Sequence, residues 1–255
     1  MKIDRVIFCY DGHPDYDGMY PLQRRLWAKL GVEATLMIVG DTVPDKPGSV
    51  RLETDHDLPQ DPPGGRNWKA TMALLHGPRL FPGETIMVSG IDQFPLSRLF
   101  LNAVSLIPDD QMVVAFGGIG GSYDKLFNGI RYYPSSHVVA HHDIWEAVMA
   151  PAPKDFPRFL RWAWAKNLEV MWPDHAVGWG MDEAVLGHLI QLSGVRLNVF
   201  PKQVFNDWNA WRLGRGATKK LNPSLLKDGA YTELHAHRPL PQDERDLIER
   251  VIQLL

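Results

Sequence analysis

Three short stretches carry side chains whose types and spacing suit acid–base or metal chemistry. In the first, an apolar run ends in Ser89-Gly90-Ile91-Asp92, and Pro95 closes the stretch. A carboxylate directly after a buried strand is unfavourable unless another group binds it, because burial removes it from water. Asp92 could therefore hold a ligand. Alternatively, it caps the helix expected after Pro95 or pairs with a surface base, since aspartate is common before helices.

The second stretch is WGMDEAVL, which begins at Trp179. Its adjacent carboxylates, Asp182 and Glu183, open a predicted helix after a Gly-Trp-Gly turn. Acidic residues in a first helical turn suit the helix dipole, which is a purely structural explanation. A general base, however, needs a fixed backbone near the hydroxyl that it deprotonates, and such a turn provides one. Trp179, next to Gly180, would supply a stacking face for a sugar.

The third stretch is YTELHAHRP, which begins at Tyr231. If this stretch is extended, His235 and His237 point to one face. With a remote carboxylate, such a pair can form a nitrogen and oxygen site suited to manganese or zinc. Two surface histidines explain the pattern equally well. The neighbouring Arg238 would suit a phosphate oxygen.

Two basic residues begin another predicted helix. Arg66 and Lys69 follow a Pro-Pro-Gly-Gly turn. A helix N-terminus combined with an arginine favours an anionic ligand, and the alternative is a solvated helix face. The glycine run at residues 117–121 lacks the G-x-G-x-x-G spacing of a dinucleotide site, and no P-loop pattern occurs.

These side chains need secondary-structure elements that bring them to one edge of a sheet. The sequence predicts a strand over residues 5–10, a helix over 20–30 that Gly31 caps, and a second strand over 33–39. Strands and helices continue to alternate, so we expect an α/β fold with one central, mixed, mainly parallel sheet and helices on both faces. Ligands bind beyond the carboxyl ends of the strands in such sheets, and Asp92 follows a strand end.

Several segments outside that alternation are predicted from their turn residues. Residues 42–65, which are rich in proline, glycine and acids, are expected to form a long loop, and residues 207–240 an irregular tail. An Asn-Gly pair at 128–129 predicts a hairpin. Residues 242–255 have the spacing of an amphipathic helix.

The bulk composition excludes some functions. The net charge of −3 over 255 residues argues against a nucleic-acid partner held by bulk electrostatics. No run of about 18 apolar residues occurs, so no membrane span is expected, and the charged N-terminus is unlike a signal peptide. The single cysteine, Cys9, favours a reducing, cytoplasmic setting. Its apolar neighbours indicate a small buried hydrophobe rather than a nucleophile.

Taken in order, the three stretches resemble glycosyltransferases of the GT-A fold. Members of that superfamily typically carry a strand that ends in Asp-x-Asp, often within a stretch such as SDIDMLPL, and the matching residues here are SGIDQFPL. They commonly also have an acidic motif at a late helix start, matched by WGMDE. Many place a histidine near the C-terminus that completes the metal site, matched by LHAHRP. Gly90 stands where the first aspartate is expected, so the motif is degenerate.

The resemblance implies a set of ligands and the residues that bind them. The donor would be a nucleotide-diphospho-sugar, and the acceptor a carbohydrate or another hydroxyl compound. A divalent cation, Mn²⁺ or Mg²⁺, would be held by Asp92 with His235 or His237. Asp182 or Glu183 would be the base or would position the acceptor. The residues that would bind the donor are Tyr10, Asp11, Arg66, Lys69, Ser89, Gly90, Ile91, Asp92 and Arg238, and those that would bind the acceptor are Trp179 and Gly180.

Metal-assisted sugar transfer is thus the function expected, from a single domain over residues 1–255. Its nucleotide-binding half would be residues 1–110, and its acceptor-binding half and C-terminal tail residues 111–255. Two alternatives remain open. One is a non-catalytic nucleotide-sugar-binding relative, which the missing first aspartate favours. The other is a metal-dependent hydrolase that uses Asp92 and the histidine pair.

Overall fold

The computed structural model describes residues 1–55, 57–58, 68–115, 126–127, 130–170, 181–200, 211–216, 218 and 221–255. The β-strands are β1 Arg5–Tyr10, β2 Glu33–Val39, β3 Ser49–Leu52, β4 Thr85–Val88, β5 Gln93–Pro95, β6 Gln111–Ala115, β7 Leu126–Phe127, β8 Ile130–Arg131, β9 Val138–His141, β10 Arg196–Phe200, β11 Trp211–Leu213 and β12 Tyr231–His235. The α-helices are α1 Met19–Leu30, α2 Trp68–His76, α3 Leu99–Ser105, α4 His142–Met149, α5 Phe156–Val170, α6 Met181–Ser193, α7 Pro223–Lys227 and α8 Gln242–Leu254.

The main sheet has seven strands in the order β10-β6-β9-β4-β1-β2-β3. Strand β9 runs antiparallel to its neighbours β4 and β6, whereas the remaining neighbours pair in parallel. Parallel strands linked by crossover helices are buried on both faces, which is why β1 and β2 are nearly continuous apolar runs. The predicted mixed, mainly parallel α/β sheet is confirmed.

Two apolar layers cover the two faces of this sheet. Successive residues of a strand point to opposite faces, so Val6 and Phe8 of β1 lie in one layer and Ile7 lies in the other. Helices α1, α3 and α8 contribute to the first layer. Helices α2, α4, α5 and α6 contribute to the second. The predicted placement of helices on both faces is therefore confirmed.

A second, three-stranded sheet has the order β11-β12-β5. Strand β12 pairs antiparallel with β5, with Leu234 opposite Phe94 and His235 opposite Gln93. This pairing joins the chain's last strand to the segment that directly follows Asp92. The prediction of an irregular tail over residues 207–240 is wrong where β11, α7 and β12 form.

The predicted loop over residues 42–65 also contains a strand. Strand β3 pairs in parallel with β2 at the edge of the main sheet. It has four residues between glycine- and proline-rich flanks, so its local sequence gives little sign of a strand, and its hydrogen bonds to β2 stabilise it. The expected hairpin is present as the antiparallel pair of β7 and β8. Its turn at 128–129 and the glycine run at 117–121 lie outside the described residues.

Helix α6 packs unusually close to β8. A Cβ atom placed on Gly187 would lie 1.9 Å from the backbone oxygen of Arg131, so only glycine fits at this crossing. This helix begins at Met181 and carries Asp182 in its first turn. The close contact therefore fixes the element that presents a candidate catalytic residue. Among the described helices, none has both the length and the apolar character to cross a membrane.

Candidate active site

A cleft of about 150 Å³ opens at the carboxyl ends of β1 and β4. These strands are neighbours in the sheet, but β2 and β3 lie on the far side of β1, and the chain crosses back to reach β4. Such a reversal of strand order is where open α/β sheets bind ligands. The cleft lies at the edge of the sheet where the sequence predicts Asp92 to be.

The cleft brings together residues from distant parts of the chain. Five of the predicted donor-binding residues line it, and Asp182 joins them. Burial raises the pKa of the Cys9 thiol, and the nearby carboxylates of Asp11, Asp182 and Asp92 raise it further, in keeping with an unreactive cysteine. The lining residues are Cys9, Tyr10, Asp11, Tyr16, Ala70, Thr71, Leu74, Gly90, Ile91, Asp92, Ser135, Ser136 and Asp182.

Asp92 is buried, and three side chains converge on its Oδ2 atom. The Nη2 atom of Arg215 and the Nε atom of Arg238 each lie 3.2 Å from it, and the Nε2 atom of His235 lies 3.3 Å away. Burial alone would raise the pKa of Asp92. The hydrogen bond and charge of His235, with the charges of Arg238 and Arg215, outweigh burial and lower that pKa below its usual value. Asp92 is therefore an ionised group inside a cationic cluster.

The second sheet holds this cluster in place. The Ala236 N–H donates a hydrogen bond to the backbone oxygen of Asp92 at 2.8 Å, next to the pairing of His235 with Gln93. The Nε atom of Arg215 donates to the backbone oxygen of Ala236 at 3.1 Å. Arg238 donates from Nη1 to the hydroxyl of Tyr16, which lines the cleft. The pairing of β12 with β5 and of β11 with β12 thus places all three partners around Asp92.

Helix α1 fixes the turn that carries Asp92. The side-chain amide of Gln23, which is buried, donates to the backbone oxygens of Ile91 and Gln93, both at 2.9 Å. Its side-chain oxygen accepts a hydrogen bond from the indole of Trp27 at 3.0 Å. The turn after β4 is therefore held rigidly, as a binding site requires.

His237 has a different environment from His235. Strand β12 ends at His235, so the expectation that both histidines lie on one strand face is wrong. The Nδ1 atom of His237 lies 2.7 Å from Oε1 of Glu244 in α8, and its backbone N–H donates to Oε2 at 2.7 Å. His237 is therefore bound to a buried carboxylate of α8, and its role as a metal ligand stays a prediction.

The residues around Asp92 fit a divalent cation poorly. Such a cation would have to approach the oxygen that two guanidinium groups already contact, and like charges repel strongly at short range. Among the described residues, no group of three or more His, Cys, Asp or Glu side chains is arranged to hold a metal ion. The contacts of Asp92 therefore suit cationic side chains better than a metal.

Gly90 stands at a crowded position. A Cβ atom placed there would lie 3.0 Å from Oδ1 of Asp92 and 3.2 Å from Cδ of Gln93. The Gly90 N–H donates to Oε1 of Gln93 at 3.3 Å. The side chain of Gln93 thus turns back towards the place where a first aspartate of the Asp-x-Asp motif would begin.

Asp182 is the one of the two candidate catalytic carboxylates that lines the cleft. It is buried, and Ser135 donates a hydrogen bond from its hydroxyl to Oδ2. Burial raises the pKa of Asp182, outweighing the hydrogen bond from Ser135. Glu183 is half-buried and is absent from the lining residues, and its backbone oxygen accepts a hydrogen bond from Tyr133 at 3.4 Å.

Lys69, one of the remaining predicted residues, makes contacts of its own. Its Nζ donates to the backbone oxygens of Asp55 and Leu58, at 2.9 and 3.0 Å. Lys69 therefore holds the segment that contains Asp55 and Leu58, whereas other residues of α2 line the cleft. Ser89 is fully buried, and its backbone N–H donates to Ile7 at 3.0 Å. Arg66, Trp179 and Gly180 lie outside the described residues.

Three residues that complete the site were not predicted from the sequence, namely Arg215, Tyr16 and Ser135. Arg215 lies in the tail that was expected to be irregular, with no motif around it. Tyr16 ends a one-turn 3₁₀ helix, Pro14–Tyr16, and Ser135 lies in a bend before β9. Only the tertiary fold brings them to Asp92 and Asp182, so no local signal identifies them.

No protein-family model matches the chain, and no curated protein matches it. Among solved structures, it is similar to a glycosyltransferase involved in the glycosylation of the major capsid of PBCV-1, with 11% identity over 98% of each chain and a TM-score of 0.47. The glycosyltransferase GlyE of Streptococcus pneumoniae TIGR4 aligns at 11% identity over 99% of this chain and 60% of GlyE, with a TM-score of 0.47. The galactosyltransferase LgtC, solved with donor and acceptor sugar analogues, aligns at 12% identity over 98% of this chain and 94% of LgtC, with a TM-score of 0.49.

Proposed function

We propose that this protein is a glycosyltransferase that moves a sugar from a nucleotide-diphospho-sugar to a hydroxyl of a carbohydrate or another acceptor. One observation carries the proposal. A single cleft at the strand-order reversal is lined both by Asp92, whose Oδ2 atom holds the cationic cluster, and by a buried carboxyl group, Asp182. The cations would stabilise the negative charge of the departing diphosphate, and the carboxyl group would accept the proton of the acceptor hydroxyl.

The leaving group explains the need for positive charge. When the bond between sugar and diphosphate breaks, negative charge develops on the diphosphate oxygen, and fixed cationic donors stabilise it most where water is excluded. Asp92 is ionised and surrounded by cationic side chains. Tyr10 and Asp11, at the end of β1, would contact the nucleoside, since they line the same cleft.

The acceptor hydroxyl needs a group that takes its proton. A general base works best when its pKa lies near the working pH, and burial moves the pKa of Asp182 upward in that direction. The hydroxyl of Ser135 orients the Asp182 carboxyl group. We assign the proton transfer to Asp182. Glu183 follows it in the first turn of α6 and takes no part in that transfer.

Metal assistance, expected from the sequence resemblance, would use Asp92 and His235 as ligands. Their Oδ2 and Nε2 atoms lie 3.3 Å apart, and Arg215 and Arg238 occupy the space around that oxygen. The reaction proposed here therefore has no step that passes through a metal ion.

The test is a thermal-shift screen of UDP-, GDP-, ADP-, CDP- and dTDP-sugars, followed by measurement of nucleoside diphosphate release with and without acceptor sugars. A ligand that binds the native state raises Tm with its concentration. We expect one nucleotide class to raise Tm and its sugar donor to release the diphosphate. Tight binding without release would favour the non-catalytic relative. Manganese-dependent ester hydrolysis without nucleotide binding would favour the hydrolase.

A further inference from the structure

Two guanidinium groups share one carboxylate oxygen at the edge of the cleft. Arg215 and Arg238 reach Oδ2 of Asp92 at the same distance, 3.2 Å. The side chain of Asp92 is 10% exposed, whereas those of Arg215 and Arg238 are 36% and 25% exposed. The carboxylate is therefore buried beneath two cations that still face solvent.

Each guanidinium group keeps donors for a ligand. Arg215 uses Nε for Ala236, and its Nη2 atom contacts both Asp92 and, at 3.0 Å, Nε2 of His235. Arg238 uses Nε and Nη1 for Asp92 and Tyr16. Within the part of the chain that the structure describes, Nη1 of Arg215 and Nη2 of Arg238 donate to no other residue. A guanidinium group has five N–H donors in a planar fork that matches phosphate oxygens.

The charges of the cluster add up to a surplus of positive charge. Two guanidinium groups and one carboxylate give one net positive charge, even with His235 neutral. Without Asp92 the two guanidinium groups would repel each other, so the buried carboxylate holds them side by side. An anion with several phosphate oxygens would complete the cluster, because it supplies negative charge on the solvent side.

We propose that Arg215 and Arg238, held together by Asp92, bind the donor's diphosphate directly and stabilise the leaving group in place of a divalent cation. This inference rests on the proposed function. The bond between the anomeric carbon and the diphosphate oxygen breaks, and its electron pair stays on that oxygen, where the guanidinium N–H groups donate. The acceptor oxygen forms the new bond to the anomeric carbon, and its proton passes to the Asp182 carboxylate.

The position of Gln93 supports this assignment. A metal held by an Asp-x-Asp pair would need a carboxylate at position 90, where the side chain of Gln93 lies instead and contacts the Gly90 N–H. The one remaining carboxylate, Asp92, is already neutralised by side chains. The turn after β4 therefore carries too little negative charge for a metal, whereas the two guanidinium groups on Asp92 supply a surplus of positive charge for phosphates.

The test is isothermal titration of the full chain with inorganic pyrophosphate, UDP and GDP, in EDTA and in Mn²⁺. Pyrophosphate probes the diphosphate subsite without a base. We expect affinity in EDTA to be within about threefold of that in Mn²⁺. Arg215→Gln and Arg238→Gln should each lower affinity about tenfold or more, the loss of one charge-assisted hydrogen bond.

The matched control is Arg25→Gln, which removes the same charge from an exposed pair with Glu249 on α1 and α8. It should leave affinity unchanged. Binding that needs Mn²⁺ would overturn the inference and leave the proposed function standing, whereas no binding in either buffer would overturn both. Wild-type affinity in both glutamine variants would also overturn it. If a glutamine variant unfolds, the corresponding lysine variant decides, since it keeps the charge but loses the fork and should still bind more weakly.

Discussion

Two carboxyl groups that line one cleft have opposite pKa shifts because their surroundings differ. Asp92 faces His235 and two arginines, and its pKa is lowered. Asp182 faces the hydroxyl of Ser135 in a buried wall, and its pKa is raised. One carboxyl group stays charged to organise cations, and the other can exchange a proton, which is the division of roles that acid–base sites use.

Asp182 gives a prediction for both activity and stability. Its folded pKa is raised, so the folded state favours the protonated form, and stability from this group falls as pH rises through that pKa. At pH 7, Asp182→Asn should therefore raise the free energy of unfolding and Tm, because it removes a charge whose burial is unfavourable. Thermal melts at pH 5 and pH 8 check the direction.

The same variant should lose transfer activity but keep pyrophosphate affinity. In the wild type, kcat/KM should fall as pH drops through the raised pKa of Asp182, because a protonated carboxyl group cannot accept the acceptor's proton. Glu183→Gln is the matched control, since the adjacent carboxylate does not line the cleft. Equal losses of activity in both variants would contradict the assignment to Asp182.

The buried side chain of His76 should make the free energy of unfolding depend on pH. It is buried against the rings of Phe156 and Phe159, at 5.2 and 5.5 Å. Burial, followed by the charge of Arg79, lowers its pKa to about 4. The neutral form is favoured in the fold, so its contribution is present above pH 6.5 and is lost as pH falls towards 4, by about 3 kcal/mol. His76→Leu should flatten urea-unfolding stability between pH 4 and 6.5, and an unchanged pH slope would contradict this.

Because α6 and β8 cross so closely, one added methyl group should strongly lower the stability of the fold. In Gly187→Ala the new Cβ would lie 1.9 Å from the backbone oxygen of Arg131, so the helix must shift. We expect a loss of about 1–3 kcal/mol or more, as for other overpacked sites. Transfer activity should fall as well, because α6 carries Asp182. Urea unfolding measures the first effect and diphosphate release the second.

Gly214→Ala is the comparison for that measurement, since its Cβ would meet no atom within 4 Å. It should change stability little. A similar loss of stability in both variants would show that the close contact of α6 with β8 is not the cause.

Unbroken apolar runs predict the ranges of β1 and β2 in the main sheet. Strand β2, for example, lies at Glu33–Val39, the predicted range, because a run buried on both faces has no polar interruption. Strands β3, β5, β11 and β12 were missed because they are short and depend on partners far away in sequence. Their hydrogen bonds form only in the folded sheet, so no local pattern reveals them.

Some residues of the site were predicted from the sequence and others were not. Asp92 and Asp182 stand next to clear strand and helix boundaries, so the sequence draws attention to them. Arg215 lies in a tail without a motif, and its place beside Asp92 follows from the pairing of β11 with β12 and of β12 with β5. A residue that is brought to the site by the second sheet thus cannot be predicted from a single sequence, because its position depends on long-range strand pairing.

The cationic cluster, at the scale of the whole molecule, depends on the final helix. Glu244 of α8 is fully buried and accepts hydrogen bonds from the backbone N–H groups of Gly216 and His237, at 3.2 and 2.7 Å. These residues adjoin Arg215 and Arg238. One carboxylate on α8 therefore fixes the two segments that carry the guanidinium groups.

Glu244→Gln should weaken pyrophosphate binding without touching the cleft. The amide keeps one acceptor oxygen where the carboxylate had two, so a backbone N–H or the His237 ring loses its partner. We expect affinity to fall about threefold to tenfold, the effect of a lost hydrogen bond near a site. Titration calorimetry measures the change, and Glu249→Gln on the exposed face of α8 is the control. Equal affinity in Glu244→Gln and wild type would contradict the coupling.

The distance along the chain between Asp92 and Arg215, 123 residues, has a consequence during synthesis. Most of the strands of the main sheet leave the ribosome first, and domains begin to fold as they emerge. The pairing of β12 with β5 must wait until β12 has been made, and contacts between such distant segments form late. On the function proposed here, a growing chain holds the sheet but not the guanidinium pair. If that function holds, a nascent chain that stops before β12 neither sequesters nor consumes the sugar donor.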